Sequence, residues 1–152
     1  MPHQHFGNAD SAITIDLDAI IANWRYIDGL SASTTKTAAV VKANGYGLGS
    51  CMVATALARA GCELFFVASL NEAIELRTLF RQTGHGDLTI MVFHSFQRGQ
   101  EADFVAHQLE PVLNDLEQIS RWQLYAAKTA TTLTALLHFD TGMNRLGPDA
   151  DQ

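Results

Sequence analysis

Short runs rich in β-branched residues alternate with longer amphipathic stretches along most of this sequence. That order predicts a parallel sheet with helices packed on it, so the predicted fold class is α/β. A strand at 13–16 and a helix over 17–29 come first and lie outside the repeating unit. The repeated strands are predicted at 37–42, 64–68, 87–93, 110–113 and 133–139.

Two of the predicted helices begin with the spacing of an N-terminal cap. Ser69 stands three residues before Glu72, which is the pattern of a capping box. Asn114 stands three residues before Glu117 and predicts the start of another helix. The helix after residue 50 is predicted to end at Gly61.

The length of the chain leaves two architectures open. A complete (β/α)8 barrel needs roughly 250 residues, whereas this chain has 152. A barrel would therefore stop about half way round, after five strands. An open, doubly wound sheet of five strands would be complete at this length. Periodicity alone does not separate these two interpretations.

Composition and charge narrow the range of partners. The chain is 47% hydrophobic and 17% charged, the balance of a globular chain with one core. A net charge of −6 without a basic block argues against nucleic acid. No membrane segment and no secretory signal is evident, so a cytoplasmic location is expected. Cys51 and Cys62 are predicted to be core thiols, and no histidine pair has the spacing of a metal site.

The most informative segment, residues 39–49, reads AVVKANGYGLG. It places Lys42 at the carboxyl end of a buried strand, where α/β folds bind ligands, and follows it with a glycine-rich turn. Among apolar walls the charged form of a lysine is disfavoured, which frees the amine to attack an aldehyde. The alternative is a lysine that extends from the strand end into an ordinary ion pair.

Two nucleotide-binding motifs do not fit this segment. A dinucleotide fingerprint requires a G-x-G-x-x-G frame, but position 50 is serine, and the second strand ends at Ala68 and Ser69 rather than at an acidic residue. A nucleotide P-loop places its lysine after the glycines, whereas Lys42 precedes them. Nicotinamide cofactors, ATP and GTP are therefore not supported.

Residues 39–49 closely resemble the pyridoxal-phosphate attachment motif of bacterial alanine racemases. Residues 13–20, ITIDLDAI, are similar to the opening strand and helix of that family, and residues 140–147, DTGMNRLG, to its second hallmark segment. The family fold is a (β/α)8 barrel followed by a β-rich domain. The resemblance thus implies a partial (β/α)8 TIM-type barrel of parallel strands, truncated after about five. Residues 1–152 would form the N-terminal part of that barrel, with the C-terminal β domain absent.

The resemblance assigns roles to the lysine segment. Lys42 would hold pyridoxal 5′-phosphate covalently and serve as the base on the D-alanine face. The hydroxyl of Tyr46 would help to hold the phosphate, and free backbone amides at residues 47–49 would add to that site. The alternative for Tyr46 is a ring packed over the glycine turn. Gly45 and Leu48 stand where the family commonly has Ala and His.

The resemblance also assigns roles to the second hallmark. Arg145 would lie near the substrate carboxylate, or else form a loop salt bridge with Asp140 or Asp149. Asp140 is expected to order the turn that follows it or to position Arg145. His138 stands where many members carry a lysine, often modified to a carbamate. A neutral His138 accepting a hydrogen bond from Arg145, or a bound anion, would replace that group.

The implied function is that of an isomerase, the pyridoxal-phosphate-dependent racemisation of L-alanine and D-alanine in the complete parent protein. D-alanine would supply the bacterial cell wall, and the parent would be a homodimer whose partner subunit contributes a second base, a tyrosine. Tyr26 and Tyr125 lie in outer helical patterns and do not replace it, so the isolated chain is expected to be inactive. The alternative is a non-catalytic barrel remnant or fragment-assembly module that retains at most cofactor binding.

Overall fold

A computed structural model describes residues 11–148 of the chain, which form a single parallel sheet covered by helices. The strands are β1 (Ala39–Val40), β2 (Leu64–Val67), β3 (Thr89–Val92), β4 (Glu110–Leu113) and β5 (Leu136–Leu137). The helical segments are α1 (Leu17–Gly29), α2 (Lys42–Tyr46), α3 (Ser50–Arg59), α4 (Leu70–Gln82), α5 (Glu101–Ala106) and α6 (Leu116–Thr129).

The strands pair in sequence order, β1-β2-β3-β4-β5, and every pair is parallel. A doubly wound sheet reverses its strand order at a switch point, and this sheet does not. Consecutive βα units wound in one direction are the arrangement of a (β/α)8 barrel. The partial barrel is confirmed, and the open doubly wound alternative is wrong.

The core lies between the sheet and its helices. Phe65 packs edge-on against Phe80 of α4, with ring centroids 4.9 Å apart. Further along the sheet, Trp122 of α6 lies 5.3 Å from Phe96 and 6.3 Å from Phe104 of α5. Burying aromatic side chains of this size stabilises the fold by roughly 2 to 3 kcal/mol each. These contacts fix α5 and α6 on the second half of the sheet.

A buried arginine joins three segments of the outer layer. Arg77 of α4 is only 2% exposed. Its guanidinium donates hydrogen bonds to the carbonyls of Gly86, His107 and Gln108 at distances of 2.5, 3.0 and 2.6 Å. Burial lowers the pKa of Arg77 below its ordinary value. The side chain ties α4 to the loop before β3 and to the end of α5.

The sequence predictions for residues 13–16 and for the cap of α6 are wrong, and the strand predicted at 37–42 is limited to Ala39–Val40. Residues 13–16 form no strand, because no strand of the described region pairs with them. The cap of α6 is Asp115, whose carboxylate accepts the amide of Gln118 at 2.7 Å. Asn114 is instead buried at the end of β4, where its side chain has partners of its own.

The cysteines differ from each other. Cys62 is buried as predicted, and desolvation raises the pKa of its thiol. Cys51 is exposed, so the prediction of a core thiol is wrong there. Helix α3 turns a different set of side chains inward, namely Val53, Ala54, Leu57 and Ala58.

Within residues 11–148, no helix has the length and apolar character needed to cross a bilayer.

Candidate active site

The carboxyl ends of the five parallel strands meet at one edge of the sheet, and polar side chains follow each strand there. Parallel α/β sheets bind ligands at this edge. The residues that follow the five strands in turn are Lys42, Ser69, His94, Asn114 and His138.

Lys42 leads into a left-handed turn, residues 43–46. All four residues have positive φ, from 51° at Ala43 to 63° at Gly45. This conformation costs roughly 1 to 2 kcal/mol for each residue other than glycine, so the surrounding structure must hold it. Inside the segment, the amide of Gly45 donates to the carbonyl of Val41 at 2.9 Å. The left-handed turn sets the direction in which the chain leaves Lys42.

The glycine amides that follow the turn already have partners. Gly47, Leu48 and Gly49 donate to the carbonyls of Ala43, Gly45 and Asn44, at 3.0, 3.1 and 2.9 Å. The expectation of free amides at residues 47–49 is therefore wrong, because a left-handed turn folds the chain back on itself and pairs them internally.

Lys42 is half-buried, and its amine lies near two aromatic rings. Its Nζ lies 5.8 Å from the ring centroid of Tyr46 and 5.8 Å from that of Phe93. Phe93 in turn stacks on Phe66 at 4.8 Å. No carboxylate within residues 11–148 forms an ion pair with Lys42. The ordinary ion pair considered for this lysine is thus not present in the described part of the chain.

Tyr46 lies on the same turn and is 62% exposed. The Lys42 amine lies over its ring. Among the residues that the structure describes, its hydroxyl has no hydrogen-bond partner. Lys42 and the turn that follows it therefore present an amine without an ion pair and a hydroxyl without a hydrogen bond, both judged on the described residues.

Glu72 has a role at this edge that the sequence pattern did not predict. Its Oε1 accepts the amide of Ala43 and its Oε2 accepts the amide of Ala68, both at 2.8 Å. Only half of the predicted capping box forms. Ser69 Oγ accepts the amide of Glu72 at 3.4 Å. The Glu72 carboxylate accepts the amides of Ala43 and Ala68 and not that of Ser69. Local spacing contains no signal for the contact with Ala43, which lies 29 residues away.

Asn114 and His138 form a fixed pair at the ends of β4 and β5. The Asn114 side-chain amide donates to the carbonyls of Phe93 and Val112, at 2.8 and 2.9 Å. Its Oδ1 is then the acceptor for His138 Nδ1 at 2.9 Å. With the proton on Nδ1, the Nε2 atom of a neutral His138 is an acceptor.

In the second hallmark segment, the side chain of Asp140 holds the turn that follows it. Its Oδ1 accepts the amides of Gly142 and Met143 at 2.8 and 2.7 Å. Arg145 is exposed, and within residues 11–148 its guanidinium makes no ion pair or hydrogen bond with Asp140 or His138. The salt bridge considered with Asp140 is therefore absent there, and Asp149 lies outside the described residues.

Comparison with known proteins identifies the family. The family described as "Alanine racemase, N-terminal domain" matches residues 15–152. The chain belongs to this family. The alanine racemase of Brucella abortus is 44% identical over 95% of the chain, and that of Cereibacter sphaeroides is 46% identical over 91%. The chain spans only 35% and 38% of these two relatives.

A solved alanine racemase has the same fold. The crystal structure of the enzyme from Bartonella henselae, which has covalently bound pyridoxal phosphate, superposes with a TM-score of 0.82 at 36% identity. The match covers 90% of this chain and 37% of that one. The resemblance to the alanine racemase family is thereby confirmed, together with the barrel architecture.

Within the alanine racemase fold, the described residues bring some of the predicted site residues together and leave others apart. Lys42 directly precedes the turn that carries Tyr46, and its Nζ lies 5.8 Å from the centroid of that ring. His138 lies at β5, four strands away along the same edge. Arg145 has no described contact with any of them. Within residues 11–148, no group of three or more His, Cys, Asp or Glu residues has the arrangement of a metal site.

The Asp140 turn is predicted to respond to acid. Amide hydrogen bonds, that of Gly142 foremost, lower the pKa of Asp140 below its ordinary value. The carboxylate therefore stabilises the turn above its unfolded pKa of roughly 3.9, and this is lost as the pH falls through the lower folded value. We expect the amide NMR signals of Gly142 and Met143 to titrate together below pH ~3.9.

The control for this prediction is Asp140→Asn, which keeps an acceptor oxygen but has no proton to gain. Its amide signals at 142 and 143 should not titrate with the same midpoint. A wild-type midpoint above the ordinary value for aspartate would contradict the prediction.

Proposed function

We propose that this chain is the lysine-bearing part of a pyridoxal-phosphate-dependent alanine racemase, an isomerase that interconverts L-alanine and D-alanine. The observation that carries the proposal is Lys42, whose amine lies at the ligand-binding edge of a barrel-type sheet without an ion-pair partner among the described residues. Membership in the alanine racemase family supports it, as does the covalently bound cofactor of the Bartonella henselae relative.

The residues of the turn fit this cofactor. An uncommitted primary amine suits a covalent bond to an aldehyde. The exposed Tyr46 hydroxyl on the same turn suits a contact with the phosphate, and the internally bonded amides of residues 47–49 do not. When bound, pyridoxal phosphate accommodates the electron pair left on the alanine α-carbon after its proton departs.

The protein's side chains would then handle the proton and the substrate. Lys42 Nζ would be the point of cofactor attachment and, as a free amine, would hold or deliver the α-carbon proton on the D-alanine face. The guanidinium of Arg145 binds the substrate carboxylate with its paired donors. His138 Nε2 is an acceptor that can orient Arg145, and Asp140 holds the turn that carries it.

Racemisation requires a base on each face of the α-carbon. We propose that the complete protein, a cytoplasmic homodimer, obtains the second base from its partner subunit and supplies D-alanine for the cell wall. The chain corresponds to little more than a third of its curated relatives. We therefore expect these 152 residues to bind the cofactor without racemising alanine, and measurable racemisation by them alone would contradict this.

The test is covalent capture of the cofactor. The purified chain is incubated with pyridoxal phosphate, reduced with borohydride and mapped by peptide mass spectrometry. The sequence contains three lysines, at 36, 42 and 128, so the position of the label is unambiguous. We expect the label on Lys42 and its loss in Lys42→Ala.

The matched control is Lys36→Ala. Lys36 is exposed and pairs with Glu63 at 2.8 Å, away from the turn. This variant should capture as much cofactor as the wild type. A label on Lys36 or Lys128 in preference to Lys42, in a chain shown to be folded, would overturn the proposal.

A further inference from the structure

We propose that Glu72 is a positioning residue that holds Lys42 in place for cofactor attachment, an inference that rests on the proposed function of Lys42. Both oxygens of its carboxylate accept backbone amides. One amide belongs to Ala43, directly after Lys42, and the other to Ala68, directly after β2.

The carboxylate continues the pairing of β1 with β2 beyond the last strand hydrogen bond. Val41 still donates to the carbonyl of Phe66 at 2.9 Å, as the next rung of the ladder. Two residues later the chain enters the left-handed turn, and the amide of Ala43 no longer faces a strand carbonyl. Glu72 bridges Ala43 and Ala68 at the point where the two strands separate. The bridge therefore fixes the backbone on the carboxyl side of Lys42.

The turn needs such a bridge because its conformation is unfavourable. Ala43, Asn44 and Tyr46 are left-handed residues other than glycine, and each costs roughly 1 to 2 kcal/mol. The side chain of Asn44 holds the far end by accepting the amide of Ser50 at 3.0 Å. Glu72 holds the other end of the turn, next to Lys42, by accepting the amide of Ala43.

Two amide donors require two acceptors, and this explains why a carboxylate is suited to the position. An ionised glutamate offers two acceptor oxygens. A glutamine has the same shape but presents one oxygen and one NH2 group, so one of the two amides would face another donor. The charge of Glu72 is also favourable in the first turn of α4, near the positive end of the helix.

Glu75 provides a matched control on the same helix. It lies one turn further along α4, is exposed, and has no hydrogen bond among the described residues. Glu72 and Glu75 both line a cavity of about 250 Å³ beside the turn. A change from glutamate to glutamine therefore removes a similar charge at both positions, but it breaks the amide bridge only at Glu72.

The experiment compares the wild type with Glu72→Gln, Glu72→Asp and Glu75→Gln in two measurements. The first is the concentration dependence of pyridoxal-phosphate capture on Lys42, followed by the circular dichroism of the bound cofactor and by borohydride mapping. The second, made without cofactor, is the hydrogen-exchange rate of the amides of Ala43 and Ala68. Far-UV circular dichroism and the urea midpoint verify that each variant is folded.

In Glu72→Gln we expect the apparent affinity for the cofactor to fall about tenfold or more, and the Ala43 amide to exchange about tenfold faster. Glu75→Gln should stay within about twofold of the wild type in both measurements, since no amide bridge is broken. Glu72→Asp, which keeps two acceptors on a shorter chain, should recover part of the loss. This variant also tests the inference if the glutamine variant does not fold.

The outcomes separate this inference from the proposed function. If the wild type captures no cofactor on Lys42, the proposed function fails and the role of Glu72 fails with it. If the wild type captures cofactor and the folded Glu72 variants capture it equally well, the role of Glu72 alone is overturned. An equal loss in Glu75→Gln would attribute the effect to charge on α4 and would also overturn it.

Discussion

Replacing Arg77 by leucine is expected to lower the free energy of unfolding of the chain by about 3 kcal/mol. Arg77 is 2% exposed, and its guanidinium donates to the carbonyls of Gly86, His107 and Gln108. Leucine fills part of the volume but leaves three partly buried acceptors without this donor, and each such loss costs roughly 1 kcal/mol or more. The leucine variant no longer has the desolvation cost of a buried cation, which offsets part of the lost stability. Urea denaturation followed by the fluorescence of buried Trp122 measures the change.

Two further variants make this prediction specific. Arg81→Leu removes an exposed guanidinium one turn along α4, with a single hydrogen bond to Gln108 Oε1, and should change the unfolding free energy by less than about 0.5 kcal/mol. Arg77→Lys keeps the charge, but one ammonium group does not reach three carbonyls in three directions. Its stability should fall between those of the wild type and the leucine variant. Equal stability of Arg77→Leu and the wild type would contradict the argument.

Replacing Gly147 by alanine is expected to displace the second hallmark from the sheet edge. A Cβ there would lie 2.8 Å from the Asp140 nitrogen and 2.9 Å from the His138 oxygen, both backbone atoms. Its φ of 96° also disfavours a side chain. Strain on the order of 2 kcal/mol should raise the exchange rate of the amide at position 147 about 30-fold. That amide donates to the carbonyl of Asn114 at 3.1 Å in the wild type.

Gly142→Ala is the matched control, because Gly142 also has positive φ, 126°, but its Cβ would meet nothing within 4 Å. That variant should strain the Asp140 turn and leave the amide at 147 protected. If the two variants changed protection at 147 equally, the close approach of the backbones would not be the cause.

The strand and helix pattern of this chain could be predicted because it depends on residues that are close together in the sequence. The strand at 110–113 was predicted with the bounds that the structure has, and the helix from 17 to 29 likewise. The strand at 133–139 shrinks to Leu136–Leu137, because hydrogen bonding to β4 and not hydrophobicity decides where a strand ends. The order of the strands could not be predicted from periodicity, since an open sheet and a barrel share the same alternation.

The candidate site was predictable to a similar extent. An apolar strand followed by glycines was enough to place Lys42 at the carboxyl edge of the sheet, although Val40 of that strand is exposed rather than buried as expected. The positive φ values at Ala43, Asn44 and Tyr46 were not predictable, because no propensity favours left-handed backbone at an alanine or a tyrosine. Ala43, which pairs with Glu72, and His138, which pairs with Asn114, lie in other βα units, so no local spacing revealed these two contacts.

The sequential order of the strands has a consequence for how the chain is made. Each strand pairs with the strand synthesised just before it, and paired residues lie from 19 positions apart, as Met91 and Glu110 do, to 26 apart, as Ala39 and Phe65 do. Within residues 11–148, each strand after β1 pairs with a strand that has already been synthesised. Domains begin to fold from the N-terminus during translation. The strand and helix that contact Lys42 and its turn are therefore synthesised soon after them, and Glu72 follows Ala43 by 29 residues.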